Sequence, residues 1–98
     1  MSYSLDFTAH AKREWDRLDT AIRNQLKKKL AERLQHPRVP ADAMRRMPDC
    51  YKLKLRKSGF RLVYKVTDGK LLVLVLSVGK REASEVYLNA ARELDDLD

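Results

Sequence analysis

Lys52, Lys54, Arg56 and Arg61 are the residues whose types and spacing are best suited to chemistry. Alternate residues of a strand share a face, so Lys52, Lys54 and Arg56 line one side of the run from Tyr51 to Arg56. Clustered cations fit a polyanion, nucleic acid ahead of a membrane surface. Cleaving RNA needs a base for the ribose 2′-hydroxyl, cations for charge on the phosphoryl oxygens, and an acid for the departing 5′-oxygen. An amine serves as base only where neighbouring cations push its pKa well below about 10.4. Lys54 is the best-surrounded amine, two residues from both Lys52 and Arg56. Arg61 keeps its charge and can grip a phosphate bidentately. The only histidines, His10 and His36, lie outside the basic segment and read as surface residues. No paired carboxylates or H-E-x-x-H motif occur there, so neither a metal nor another cofactor is expected. The residues alone lead to a metal-free phosphate site. A solvated basic face and a plain nucleic-acid-binding module stay open.

The charge is segregated. The 98 residues carry 21 Lys and Arg against 14 Asp and Glu, a net +7. Between residues 44 and 81 there are 11 basic residues and 2 acids, so that segment holds +9 and the rest of the chain −2. The acids gather instead at residues 93–98, which read as an acidic C-terminal tail. The length suits one domain, residues 1–98. Cys50 is the sole cysteine, which excludes an intramolecular disulfide and a multi-cysteine zinc site. With no signal-peptide pattern and no apolar run near 18 residues, a cytoplasmic protein without a membrane partner is expected.

The elements that must position these residues follow from hydrophobic spacing. Tyr3, Leu5 and Phe7 alternate with polar residues, a short strand. Thr8 is a suitable N-cap for a helix to about Asp19, with Ala11, Trp15 and Leu18 on one stripe. A second helix runs from about Thr20 to Gln35 on Ile22, Leu26, Leu30 and Leu34, ended by His36-Pro37. Residues 37–48 are irregular, with Met44 and Met47 packed beneath them. Three strands follow, about Tyr51 to Arg56, Phe60 to Thr67 and Lys70 to Val78. Ser58-Gly59 and Asp68-Gly69 read as two-residue hairpin turns. That register sets Arg56 opposite Arg61, Lys54 opposite Val63 and Lys52 opposite Lys65. It also pairs Arg61 with Leu76 and Val63 with Leu74. A last short helix begins near 82–85 with Val86, Ala90 and Leu94 on its stripe. The fold class is α+β: an antiparallel sheet of about four strands, an N-terminal helical hairpin packed on it, and a C-terminal helix. Like charges directly opposite are unfavourable, so this register itself points to a bound anion.

Three runs carry a family resemblance: Met47-Pro48-Asp49-Cys50-Tyr51-Lys52-Leu53-Lys54-Leu55-Arg56, Gly59-Phe60-Arg61-Leu62-Val63-Tyr64, and Ser77-Val78-Gly79-Lys80-Arg81-Glu82 followed by Val86-Tyr87. Over nearly its whole length the chain resembles the RelE toxins of bacterial toxin–antitoxin systems. The resemblance implies a microbial-RNase-like fold and ribosome-dependent messenger-RNA endonuclease activity, which cuts the A-site codon to leave a 2′,3′-cyclic phosphate and a 5′-hydroxyl. It implies roles for five residues: Lys54 as general base, Lys52 holding the phosphate, Arg61 stabilising the transition state, Arg81 assisting the leaving group, and Tyr87 orienting a base. By pattern alone Arg81 is a charge at a strand end and Tyr87 reads as core. The resemblance further implies a RelB-type antitoxin able to replace the last helix, and operator DNA bound only through the toxin–antitoxin complex. It favours docking to ribosomal RNA through Arg23, Lys27, Lys28, Lys29 and Arg33 of the second helix, with Arg45, Arg56 and Lys65 as further RNA contacts. A gyrase-directed ParE-type toxin is the alternative within the fold, and that type lacks the five-residue set.

Overall fold

The computed structural model describes residues 2–80 and 83–97. Four strands form one sheet: β1 (Ser4–Phe7), β2 (Cys50–Lys54), β3 (Phe60–Thr67) and β4 (Leu72–Lys80), in the order β1-β4-β3-β2. Three helices accompany them: α1 (Ala9–Asp16), α2 (Thr20–Gln35) and α3 (Ala83–Asp96). The α+β architecture is the expected one, but the sheet is mixed. β2, β3 and β4 are antiparallel neighbours, while β1 joins the outer side of β4 in parallel. The helical hairpin carries the chain from one edge to the other, which brings β2 back in the direction of β1.

Thr8 caps α1 as its sequence indicates, its hydroxyl accepting from the Ala11 amide. The helix stops at Asp16, earlier than the expected Asp19, because the chain must turn into α2. α1 and α2 cover one face of the sheet. Ala11, Trp15, Leu26 and Leu30 pack there on Leu53, Leu55, Leu62, Tyr64, Val66, Val73, Val75 and Val78. The opposite face has a smaller core, in which Val86 and Ala90 of α3 meet Met47, Cys50, Val63 and Leu76. Residues 93–96, expected within a tail, extend this 14-residue α3.

Both hairpin registers differ from expectation. Lys54 pairs with Arg61, Lys52 with Val63 and Cys50 with Lys65. The turn is not a two-residue Ser58-Gly59 turn. Leu55 to Gly59 form a wider loop in which the Gly59 amide donates to the Leu55 carbonyl. Gly59 takes a φ of 79°, a conformation glycine adopts without a Cβ clash. Arg56 therefore lies in the loop, and the expected Arg56–Arg61 and Lys52–Lys65 oppositions do not form. Asp68–Lys70 is a single 3₁₀ turn followed by Leu71 in the left-handed region, so Arg61 faces Gly79 and Val63 faces Ser77. A bulge then offsets the ladder, pairing Tyr64 with Val75 and leaving Leu76 as the extra residue of β4.

β1 pairs only with Leu72–Val75, so the rest of β4 is an open edge. Glu14 of α1 closes it: one carboxylate oxygen accepts from Ser77 Oγ at 3.0 Å and from the Val78 amide at 3.1 Å. Across the sheet, Arg33 ties α2 to β2. Its guanidinium donates to the Lys52 carbonyl at 3.1 Å, Tyr64 Oη at 2.9 Å and Asp42 at 2.6 Å. Tyr64 in turn donates to the Pro37 carbonyl. Burial opposes the Arg33 charge, but the bonds to Tyr64 and Asp42 outweigh it and hold the group above its ordinary value. Arg38 fastens the other end, donating to Asp49 and Asp68, while Tyr3 also donates to Asp68.

Candidate active site

α3 covers only part of its face of the sheet. The remainder, on β2 and the near end of β3, carries Lys52, Lys54 and Arg61. Leu55 donates its amide to the Phe60 carbonyl, and Val66 donates to that of Asp49. By the antiparallel alternation, Lys54 and Arg61 between them form a non-hydrogen-bonded pair, the type whose side chains stand closer. Lys52 lies two residues along the same strand and face. Lys54 is exposed, whereas Lys52 and Arg61 are half-buried.

Tyr87 reaches this group from α3. Arg61 Nη1 donates to Tyr87 Oη at 3.0 Å. The close approach depends on Gly79, directly opposite Arg61, where a Cβ would lie 3.0 Å from Val86 Cγ2. Arg61 Nε is buried with no partner, so one donor of the guanidinium is unspent. A cleft of about 300 Å³ opens beside Lys54, Arg56, Phe60 and Arg61. No carboxylate lies within salt-bridge distance of Lys52, Lys54 or Arg61 among the described residues. Those residues also hold no cluster of His, Cys, Asp and Glu suited to a metal. The arrangement can grip a phosphodiester, with an amine beside it to take a proton and a phenol to orient a base.

The fold thus joins Lys52, Lys54, Arg61 and Tyr87. Arg81 lies outside the described residues. The docking set divides. Lys27, Lys28, Lys29, Arg45 and Arg56 are exposed, and Lys29 of the three-lysine run lines a second cleft that it shares with Lys54 and Arg56. Arg23 turns back onto the Asp16 carbonyl and Thr20 Oγ1. Lys65 lines a separate cleft with Arg46, Leu94 and Asp95, so the acidic end of α3 stands beside that lysine. Arg33 is a correction: its guanidinium is spent inside the fold and is not a free docking cation. Phe60 lines the rim of the cleft beside Arg61, but its ring packs on the core beneath α1 and α2, with Lys80 Nζ 5.8 Å from the ring centroid, so it reads as a packing residue. Cys50 is 1% exposed, and burial pushes its thiol up to about 11, so it is a core residue and not a nucleophile.

Comparison with known proteins gives a family and relatives of the same fold. Residues 5–84 match a family model described as the ParE toxin of the type II toxin-antitoxin system parDE. The mRNA interferase toxin RelE of Escherichia coli K12 is 56% identical over 94 residues, 96% of this chain and 99% of that protein. A double mutant of E. coli toxin RelE, solved in the free state, has 58% identity and a TM-score of 0.87, covering 94% of this chain and 97% of that one. A chain of the intact E. coli RelBE toxin-antitoxin complex has 57% identity and a TM-score of 0.80, covering 83% of this chain and 99% of that one. No helix among the described residues is long and apolar enough to cross a membrane.

Proposed function

The chain belongs to the RelE/ParE family of type II toxin–antitoxin toxins, and from that membership we propose that it is an endoribonuclease toxin cutting messenger RNA in the ribosomal A site. The observation that carries the reading is the cationic pair Lys54–Arg61 with Tyr87 hydrogen-bonded to the arginine. Lys54 Nζ takes the proton of the 2′-hydroxyl. The 2′-oxygen then bonds to phosphorus, the bond to the 5′-oxygen breaks, and that oxygen takes a proton from water. The products are a 2′,3′-cyclic phosphate and a 5′-hydroxyl. Lys52 and Arg61 hold the phosphoryl oxygens through this change, where fixed cations matter most. Tyr87 orients the neighbouring base, and Arg81 neutralises the departing oxygen.

With no histidine or carboxylate among the proposed groups, the site relies on positioning. Holding a substrate in line contributes roughly 7–11 kcal/mol in favourable cases, a service the ribosome supplies. A RelB-type antitoxin is the neutralising partner, and operator DNA is bound only by the toxin–antitoxin complex. The ParE name of the matching family model favours a second reading, action on DNA gyrase without RNA cleavage. A cleavage assay on translating ribosomes, with naked messenger alongside and primer extension to map the cuts, separates the two. Cuts on ribosomes alone support the toxin endonuclease, and Lys54→Ala should slow single-turnover cleavage by at least ~100-fold. Intact messenger together with inhibited gyrase would favour the second reading.

A further inference from the structure

A second cleft, larger than the one beside Arg61, lies close by. About 550 Å³ of space opens on the other side of the β2–β3 loop, between that loop and α2. Lys29 and Gln25 line it from the helix, and Lys54, Arg56, Lys57 and Ser58 from the sheet. Lys54, Leu55 and Arg56 also line the cleft beside Arg61, so the loop is a cationic ridge with a hollow on each flank. Among the described residues none of the four cations has a carboxylate within salt-bridge distance, whereas Lys12 and Arg33 each hold one and Arg38 holds two. A concave wall of one sign focuses its field and draws in counter-charge. Ser58 Oγ, in the same wall, has no hydrogen-bond partner.

We propose that this hollow is a second phosphate-binding subsite, which holds the RNA strand cut at Lys54 and Arg61 by a phosphodiester further along its backbone. The inference rests on the proposed nuclease reading for the position of the first phosphate. The shared ridge favours one continuous strand over a separate ligand, because a chain leaving the Arg61 side over Lys54 and Arg56 descends directly to Lys29 and Lys57. Its contacts are to backbone phosphate, so they add affinity and register without base preference.

Fully 2′-O-methylated oligoribonucleotides, which lack the attacking hydroxyl, test binding apart from cleavage. Trimers and octamers are titrated into the full chain, following backbone amides by NMR and affinity across a salt series. The octamer should shift the amides of Lys29, Lys57 and Ser58, while the trimer's shifts stay near Lys54 and Arg61. Each phosphate contact to a single strand contributes about 0.7 to the slope of log affinity against log salt. The double variant Lys29→Ala, Lys57→Ala should therefore flatten the octamer slope by about 1.4 and leave the trimer slope unchanged. Equal slopes for the variant and the unaltered chain, or octamer shifts confined to the Arg61 side, overturn the subsite. Loss of ribosome affinity in the double variant without any change in octamer binding also overturns it, in favour of ribosomal RNA. Failure of the unaltered chain to cut messenger on ribosomes counts against the nuclease reading alone, since the blocked oligonucleotides report binding only.

Discussion

Replacing Arg33 by methionine keeps most of the side chain's apolar bulk and removes three hydrogen bonds. The partners lost are Asp42, Tyr64 Oη and the Lys52 carbonyl. Hydrogen bonds to a charged group each contribute roughly 1.5–3 kcal/mol, and their simple sum overstates the loss. Tyr64 keeps its bond to the Pro37 carbonyl. Asp42 is 28% exposed and recovers water, so its pair with Arg33 lies between the surface and the buried limits. The Lys52 carbonyl is the group left worst off. A net loss of about 2–3 kcal/mol follows, which for a domain near this size lowers the melting temperature by roughly 10–20 °C. Urea denaturation of Arg33→Met, Asp42→Asn and the double variant measures both the loss and the coupling. Lys28→Met, on the exposed face of the same helix, should stay within about 0.5 kcal/mol of the unaltered protein. An Arg33 variant as stable as the Lys28 variant, but weaker on ribosomes, would return Arg33 to the docking surface and refute the structural role.

Gly79→Ala places a methyl against Val86, whose β-branched side chain has one favoured rotamer in a helix and cannot easily swing aside. Overpacking of about 1–3 kcal/mol should appear in thermal melts. Separation of Tyr87 from Arg61 should slow single-turnover cleavage by ~10-fold or more at temperatures where the variant stays folded, and an unchanged rate would uncouple that bond from catalysis. The hydrogen bond and charge of Arg38, with the bond from Tyr3, hold the Asp68 carboxyl below its ordinary value of 3.8. A depressed folded pKa contributes stability above the unfolded value and loses it as pH falls through the folded one. The stability gap between the unaltered protein and Asp68→Asn should therefore be full at pH 6 and close below pH ~4, whereas a constant gap would point to lost packing. On binding a RelB-type antitoxin, amides of α3 should lose hydrogen-exchange protection while the β2–β3 hairpin gains it. Retained protection across 85–94 would leave steric exclusion from the ribosome as the inhibitory mechanism.

The elements most legible in the sequence were those with redundant local signals. α2 has apolar residues at fours and a proline just past its end, and it forms over Thr20–Gln35 as read. The strand registers were not legible because they depend on turn geometry. Gly59 closes a loop wider than two residues, Leu71 takes a left-handed conformation, and Leu76 is inserted as a bulge. The slip of the first hairpin is an even number of residues, which changes partners and preserves faces. Lys52, Lys54 and Arg61 accordingly share a face in either register. Arg33 was misread because its partner Asp42 lies in an irregular segment with no periodicity to place it. Tyr87 reached the site only through resemblance, since its distance from Arg61 is set by how closely α3 rests on Gly79.

The carboxylate of Glu14 on the outer edge of β4 bears on how this protein survives alone. A toxin freed from its antitoxin exposes whatever its partner covered, and an unpaired strand edge is a template for joining other copies. Beyond Val75, β4 would present such an edge, over Leu76 to Lys80. With the Val78 amide already bonded to Glu14, an incoming strand would have to expel a carboxylate and bury the next rung of the ladder against it. Self-association through this edge is thereby blocked by a single side chain from α1. Glu14→Ala would free the Val78 amide and open a route to domain swapping or fibre growth, seen as a concentration-dependent loss of monomer.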